Sequence, residues 1–283
     1  MKIDYSKSTI IEAGRTQKYY WSEIWKFKEL MWILAMRDVT VRYKQTVIGI
    51  AWSIVRPLSN MAVGFFVFNK IAGLPPEPGV PILITIYSGT LIWNFFSNSL
   101  QSINNSIVHN ANLISKVYFP RLIISISSVF VSFVDFLIGF SFLIPIMIYY
   151  WFRSGFSLSW HIVFLPFFLI LGYFAAFGFG LILAVLNVKF RDFSQITPFL
   201  IQFGYFACPV NYTTLKIQGY WWYDIYCLNP LVGLIDGFRW SLAPASMEFR
   251  WESFIPSVCL ISIATYFSIY YFRKKENTFV DYI

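Results

Sequence analysis

The stretch from Arg37 to Pro57, RDVTVRYKQTVIGIAWSIVRP, changes in character near Ile48. Its first half is charged, and from Ile48 an apolar run continues to Phe68. The basic side chains that precede this run are Arg37, Arg42 and Lys44. This pattern is typical of a segment that lies on the cytoplasmic face of a membrane and then turns into the bilayer. It places the amino terminus inside and so orients every later span.

The composition predicts an all-α integral membrane protein. Of the 283 residues, 57% are hydrophobic and only 13% are charged, whereas a soluble domain carries about 25% charged residues. The net charge of +8 is better explained by basic cytoplasmic loops than by binding of nucleic acid. The three cysteines form no CxxC pair and the two histidines are far apart, so we expect no metal site and no cofactor in this chain.

Six apolar stretches follow, and as helices they cross the roughly 30 Å of bilayer hydrocarbon. The predicted spans are 48–69, 81–104, 122–151, 161–187, 195–210 and 252–272, of which the fifth is short. A further apolar piece, Leu228 to Phe238, is too short to span and contains Pro230, Gly233 and Gly237. We expect these residues to break it into a re-entrant or interfacial hairpin.

Loop charge supports six spans with both termini in the cytoplasm. The segments 1–47, 105–121, 188–194 and 273–283 hold sixteen lysines and arginines, and the outside loops hold five, a bias that agrees with the positive-inside rule. The predicted organisation is a cytoplasmic arm (1–28), an amphipathic interface helix (29–47), a transmembrane domain (48–272) and a cytoplasmic tail (273–283). Because residues 29–47 mix tryptophan with basic side chains, a membrane-surface helix is favoured over one packed only on protein.

Few residues in the sequence suggest a catalytic or binding role. The chain has no GxxxxGK[ST], HExxH, GxSxG or EF-hand pattern, so it has no P-loop for ATP. Arg56 and Asp135 fall inside apolar runs, where ionisable groups are functional candidates. The alternative is that Arg56 reaches the inner surface and Asp135 pairs within the helix bundle. Proton relays need more than one such acid, which argues against a proton-driven pump.

Three loop segments are candidates for contacts. Residues 110–121 form an amphipathic inside segment that is either an ordinary loop or a short helix touching a cytoplasmic partner, and residues 187–193 form a smaller one. The outside segment 211–251 is rich in tyrosine and tryptophan. Some of these rings anchor at the membrane interface, but aromatic faces also pack against sugar rings.

Several motifs resemble one transporter family. They are Arg37-Asp38 with Arg42-Tyr43, then Gly49, Trp52 and Pro57; LISKVYFPR at 113–121; NVKFRD at 187–192 with Pro198; Pro209-Val210; Leu228-Asn-Pro230; and FVDYI at 279–283. Together they resemble the permease subunits of ABC-type polysaccharide exporters, the second ABC permease class, which serve O-antigen, teichoic-acid and capsular-polysaccharide export. The resemblance covers nearly all of the chain after residue 28, and KVYFPR and NVKFRD are its most specific parts.

The resemblance implies a homodimer of six-span subunits paired with two copies of a separate ATPase, which binds ATP and Mg²⁺. It implies a substrate polysaccharide on an undecaprenyl-pyrophosphate carrier in the bacterial inner membrane. A coupling helix would seat on the ATPase through Lys116, Tyr118, Phe119, Pro120 and Arg121, with a smaller contact from Lys189, Arg191 and Asp192. Short gate helices after the fifth span would carry Tyr212, Tyr220, Trp221, Trp222, Asn229, Pro230, Arg239 and Trp240.

We expect a basic collar to receive the carrier pyrophosphate where the interface helix meets the first span. Its members are Arg37, Arg42, Lys44 and Arg56. Arginine holds phosphate oxygens through two parallel N–H bonds. The alternative is that these residues bind anionic membrane lipids or merely orient the helix.

Other functions stay open at this point. Teichoic acid or capsular polysaccharide are alternative substrates, and a small-molecule ABC exporter is a further one. A secondary transporter is disfavoured because paired intramembrane acids and an inverted repeat are missing. A membrane glycosyltransferase needs an acidic metal-holding loop, and the inside loops between spans offer chiefly Asp192.

Overall fold

The computed structural model describes residues 16–44, 49–73, 79–243 and 247–282. This part of the chain is helical and contains no β-strand. Its α-helices are α1 (Thr16–Lys26), α2 (Lys28–Lys44), α3 (Gly49–Gly64), α4 (Ile82–His109), α5 (Ala111–Ile114), α6 (Leu122–Ser128), α7 (Phe130–Ser154), α8 (Leu165–Lys189), α9 (Phe193–Ala207), α10 (Tyr223–Cys227), α11 (Pro230–Leu242), α12 (Trp251–Lys275) and α13 (Phe279–Tyr282). A π-helical turn (Phe65–Ile71) extends α3, and short 3-10 turns occupy Trp160–Phe164, Thr214–Lys216 and Glu276–Thr278.

Three helical stretches in the described residues are both long and apolar enough to cross a membrane. They are Leu122–Ser154, Trp160–Lys189 and Trp251–Lys275, which match the predicted spans at 122–151, 161–187 and 252–272. The other three predicted spans correspond to α3 with its π-helical turn, to α4 and to α9. With 15 residues, α9 is about 22 Å long, shorter than the hydrocarbon layer.

The helix α4 forms the centre of the bundle and packs against α3, α6, α7, α8, α9 and α11. Most of its 28 residues are buried, serines, threonines and asparagines among them, which explains why it is less apolar than a lipid-facing span. A Cβ at Gly180 of α8 would lie 2.9 Å from the Ile103 Cβ of α4. Glycine at this position therefore permits the close approach of α4 and α8.

The structure corrects the prediction that Leu228–Phe238 is broken. Pro230 occupies the first turn of α11, where its fixed φ fits and its missing N–H is not needed. The Asn229 side chain caps the helix by accepting a hydrogen bond from Leu231 N at 3.1 Å. A Cβ at Gly233 would lie 2.3 Å from a backbone oxygen of α12, and one at Gly237 would lie 2.1 Å from a ring carbon of α8. The two glycines therefore serve close helix packing and do not interrupt the helix.

The two described ends of the chain pack on each other. The helix α1 lies within the stretch predicted as a polar arm, and Tyr20 and Ile24 are buried. The Tyr20 hydroxyl donates to Glu276 Oε2 at 2.9 Å, and the Arg273 guanidinium lies 4.5 Å from the Tyr20 ring centroid. Burial raises the pKa of the Glu276 carboxyl, although the Tyr20 hydrogen bond and nearby arginines oppose the shift. Phe279 is buried as well, so the predicted tail is part of the packed structure.

The predicted interface helix corresponds to α2, and residues 45–48 lie outside the described residues. Leu34 and Ala35 are buried, whereas Trp32, Ile33 and Val41 are exposed. Because α2 contacts α3, α6 and α7, part of its surface packs on protein. Its exposed apolar side chains are suited to contact with lipid.

Candidate functional site

A cavity of about 750 Å³ lies among α2, α3, α4, α7 and α9. Three charged side chains line it: Arg42, Arg56 and Asp135. Its walls carry four amide side chains, Asn60, Asn94, Asn98 and Gln202, and five aromatic ones, Trp93, Phe95, Phe136, Tyr205 and Phe206. The cavity therefore combines charge, hydrogen-bonding groups and aromatic surface.

Asp135 is the centre of a polar cluster at the cavity. Its Oδ2 lies 2.7 Å from Arg42 Nη2. Its Oδ1 accepts hydrogen bonds from the Tyr43 hydroxyl at 2.5 Å and from Ser53 Oγ at 2.6 Å. Burial raises the pKa of the Tyr43 phenol, as does its bond to Asp135, so Tyr43 stays a neutral donor. The carboxylate thus joins the last turn of α2, the second turn of α3 and the start of α7, and Asp135 is paired within the protein.

Two of the four predicted collar residues reach the cavity. Arg42 does so from α2, and Arg56 does so from α3, where it is exposed. Within the described part of the chain Arg56 makes no ion pair. Arg37 instead pairs with Asp38 at 2.7 Å and donates to Asn110 Oδ1 at the end of α4 at 2.9 Å. Lys44 is exposed and lies outside the cavity lining.

The predicted coupling segment divides into an exposed and a buried part. Lys116 and Tyr118 are exposed, whereas Phe119 and Pro120 are buried. The guanidinium of Arg121 lies 5.9 Å from the ring of Phe279. The prediction of a helix across these residues is wrong: the helix here, α5, ends at Ile114, and the segment continues in turns. Proline at 120 disfavours a helix at this point and an α-helical backbone at Phe119.

The second predicted cytoplasmic contact lies between α8 and α9. Its three predicted residues, Lys189, Arg191 and Asp192, are all exposed. The loop is fixed to α4 because Asn187 Nδ2 donates to Asn104 O at 3.1 Å. These charged side chains are therefore presented from a supported turn.

Arg239, which was predicted to belong to an external gate, is buried and makes internal hydrogen bonds. Its side chain is 4% exposed. The guanidinium donates to the carbonyl oxygens of Thr85 at 3.0 Å, Tyr212 at 2.8 Å and Val210 at 2.5 Å. Because these carbonyls belong to α4 and to the segment after α9, Arg239 joins α11 to both.

The aromatic residues predicted for the gate fall into two groups. Trp240 stacks on the buried His161 ring with centroids 4.0 Å apart, and its Nε1 donates to Met247 O at 3.1 Å. The Tyr212 hydroxyl is 2.8 Å from the Tyr226 hydroxyl. In contrast, Trp221 is 85% exposed. The exposed group also contains Tyr220, which stacks with the partly exposed Trp222.

Comparison with known proteins explains this architecture. A model of the ABC-2 type transporter family matches residues 29–243. The chain belongs to the ABC-2 type transporter family. The match begins in α2 and ends just after α11, so it includes every helix that lines the cavity. This ABC-2 type transporter is therefore a multi-pass membrane protein and a transport component.

Three curated relatives share one description. A Klebsiella pneumoniae protein named "O-antigen export system permease protein RfbA" is 27% identical over 256 residues, which cover 89% of this chain and 94% of the relative. A second Klebsiella pneumoniae protein of that name is 29% identical over 75% of this chain and 79% of its own. A Myxococcus xanthus protein of the same name is 27% identical over 77% and 81%.

Sequence reasoning identified the charged residues of this ABC-2 transporter's cavity but missed its uncharged polar lining. Asn94 and Asn98 are four residues apart on α4, and Ser53, Arg56 and Asn60 are spaced by three and four on α3. Residues at these spacings share one helix face. This pattern of polar residues within apolar runs is the signal that reveals the lining.

Proposed function

We propose that this ABC-2 transporter is the permease of an ATP-driven exporter that moves a polysaccharide, attached to a lipid pyrophosphate such as undecaprenyl pyrophosphate, across the bacterial inner membrane. O-antigen is the first candidate, because all three relatives carry that description. The observation that carries the proposal is one cavity that holds two arginines, four amides and five aromatic rings. Teichoic acid and capsular polysaccharide are the alternative cargos.

The two arginines suit the pyrophosphate head group. Arg42 is fixed by Asp135, and Arg56 lies three residues after Ser53 on α3 and is exposed. A pyrophosphate concentrates negative charge, and guanidinium groups bind phosphate oxygens through charge-assisted bonds that are about twice as strong as neutral ones. Since water is partly excluded from a cavity within a helix bundle, the attraction is stronger there than in bulk solvent.

The remaining cavity lining suits sugar units. Asn94 and Asn98 are half-buried on α4, and amides both donate to and accept from hydroxyl groups. Trp93 and Tyr205 meet edge to face with centroids 5.9 Å apart, and such rings pack against the C–H faces of sugars. Many weak contacts of this kind hold a polysaccharide without binding any one sugar unit tightly, so the polysaccharide is able to move through the cavity.

The proposed arrangement has six spans, an interface helix at α2 and both termini in the cytoplasm. Basic residues concentrate in the segments assigned to that side. Two copies of the chain would pair with two copies of a separate ATPase, which supplies the ATP site that this sequence does not encode as a P-loop. The exposed Lys116 and Tyr118, together with Lys189, Arg191 and Asp192, are the proposed seat for that ATPase.

The proposal is tested by export of lipid-linked polysaccharide in cells that co-express the chain with its ATPase. We expect Arg42→Gln and Arg56→Gln each to lower export about tenfold, the effect of one lost charge-assisted bond. The complex should still assemble, since both side chains are partly or fully exposed to the cavity. Arg153→Gln is the matched control, because Arg153 lies at the far end of α7 and outside the cavity.

Normal export by the double Arg42→Gln, Arg56→Gln variant would refute a substrate role for these arginines. ATP hydrolysis by the purified chain alone would refute the division of labour between the two subunits.

A further inference from the structure

We propose that Asp135 is a counter-anion that competes with the lipid pyrophosphate for Arg42, holding Arg42 in the empty cavity and taking it back when the head group leaves. This inference rests on the proposed function, since it requires a pyrophosphate to bind at this cavity. Its consequence is that Asp135 weakens substrate binding and thereby speeds release. Asp135 is thus a positioning residue that sets both affinity and turnover.

The carboxylate divides its contacts between its two oxygens. Oδ2 faces Arg42 at 2.7 Å, whereas Oδ1 accepts the Tyr43 and Ser53 hydroxyls at 2.5 and 2.6 Å. If Arg42 turns to another anion, Oδ1 keeps both hydrogen bonds. The ion pair is therefore able to open without leaving the whole carboxylate unsatisfied, which would be costly in a buried position.

The exposures of the two partners favour the exchange. The Asp135 side chain is 10% exposed and that of Arg42 is 42% exposed. A ligand in the cavity therefore reaches the guanidinium before it reaches the carboxylate. Because Arg42 lies in the last turn of α2 and Asp135 near the start of α7, the exchange needs a side-chain rotation and no movement of either helix.

The charges of Asp135 and of the pyrophosphate determine which of the two anions Arg42 binds. A pyrophosphate carries more negative charge than a carboxylate and offers two oxygens to one guanidinium, whereas Asp135 offers Arg42 only Oδ2 because Oδ1 accepts the two hydroxyls. The pyrophosphate therefore displaces Asp135. The second arginine, Arg56, makes no ion pair in the described part of the chain and adds to the attraction. A transport site must bind strongly enough to load and weakly enough to unload, a requirement familiar from channels. A resident competitor anion meets it, because the broken ion pair is regained on release.

The inference is tested on the purified complex of the chain with its ATPase in phosphatidylethanolamine nanodiscs, with farnesyl diphosphate as the probe. We expect Asp135→Asn to bind the probe about tenfold more tightly than the wild type. Asparagine is isosteric, and its carbonyl still accepts from Tyr43 and Ser53. Asp135→Ser, which also lacks the charge, is the second variant should Asp135→Asn not assemble.

Two controls isolate the ion pair. Tyr43→Phe removes a hydrogen bond to the same carboxylate from a side chain outside the cavity lining and keeps the charge, so the affinity should change less than twofold. In an Arg42→Gln background, Asp135→Asn should give no gain, because the competition acts through Arg42. In export assays, Asp135→Asn should lower both KM and the maximal rate, a combination that a merely structural role does not produce.

Parallel measurements with other anions show which kind of anion the site binds. Inorganic diphosphate tests a free phosphate, and nanodiscs containing phosphatidylglycerol test an ordinary anionic lipid. A higher affinity of the Asp135→Asn complex for farnesyl diphosphate than that of the wild type supports the inference. An affinity equal to or weaker than that of the wild type overturns it. If the assembled wild-type complex does not bind farnesyl diphosphate at all, the proposed pyrophosphate site fails, and the inference fails with it.

Discussion

Replacing Arg239 by methionine is expected to destabilise the protein strongly and to act on stability before it acts on transport. The guanidinium is 4% exposed and donates to the carbonyls of Thr85, Val210 and Tyr212. Methionine fills much of the same volume but donates no hydrogen bond. The substitution therefore leaves buried carbonyl oxygens without this partner and releases α11 from α4 and from the segment after α9.

The expected loss of unfolding free energy follows from the number of hydrogen bonds that Arg239→Met removes. A buried acceptor that loses its donor costs about 1–3 kcal/mol. Thr85 O retains a hydrogen bond from Ser88 Oγ at 3.2 Å, so its loss is at the low end of that range. For the three carbonyls together we expect about 3–5 kcal/mol, the range found for breaking buried charged contacts. In a chain of this size that corresponds to a fall in Tm of roughly 10 °C.

The assay is thermal unfolding of the detergent-solubilised protein. Arg239→Lys keeps the charge but lacks the planar fork of donors, so its Tm should lie between those of the wild type and Arg239→Met. Arg153→Met is the control, because Arg153 is exposed and its loss should change the unfolding free energy by less than about 0.5 kcal/mol. If Arg239→Met melts like the wild type but exports poorly, the structural role is wrong and a gating role regains support.

Three further predictions follow from packing, charge and exposure. Gly233→Ala should lower the free energy of unfolding by about 1–3 kcal/mol, because its Cβ would lie 2.3 Å from a backbone oxygen of α12. Gly172→Ala is the control, because its Cβ would meet its neighbours at an ordinary 3.5 Å. Equal melting temperatures for the two variants would contradict the close packing at Gly233. Because the folded state raises the pKa of Glu276, it keeps a proton that the unfolded chain has lost. Stability should therefore fall as pH rises from the ordinary carboxyl range through the raised pKa; Glu276→Gln should lack this slope in melting curves, and an unchanged slope would assign it to another group. For the proposed topology, a membrane-impermeant thiol reagent applied outside should label Trp221→Cys and spare Lys274→Cys, and the reverse result would invert the orientation.

The fold was predictable where local composition decides it. Continuous apolar runs identified the stretches that the structure shows as Leu122–Ser154, Trp160–Lys189 and Trp251–Lys275, because length and hydropathy suffice there. The sequence misled at α11, since glycine and proline are general helix breakers. Pro230 fits as a first-turn residue and Gly233 is required by a neighbouring helix, and both reasons involve context that a local pattern does not contain.

The candidate site was partly predictable for the same reason. Arg56 and Asp135 were identified because charge in an apolar run is costly, and Arg42 because it is a basic residue just before the first run. The structure brings all three to one cavity. The burial of Phe119 and Arg239 was not predictable, because an aromatic or basic residue near a loop looks exposed in the sequence. Their burial depends on contacts with segments far away in the sequence, and a local sequence pattern does not reveal such contacts.

The positions of Arg37 and Arg42 on α2 change how the collar is to be understood. They are five residues apart, about 7.5 Å along the helix axis. Arg37 bonds Asn110 at the end of α4, whereas Arg42 bonds Asp135 at the cavity. Replacing Arg37 is therefore expected to weaken the attachment of α2 to the segment that precedes Lys116, and any effect on export would act through that attachment. Of the four collar residues, Arg42 and Arg56 line the cavity and Arg37 and Lys44 do not. Single substitutions at Arg42 and Arg56 therefore report on binding of the head group, whereas a combined substitution that includes Arg37 and Lys44 does not.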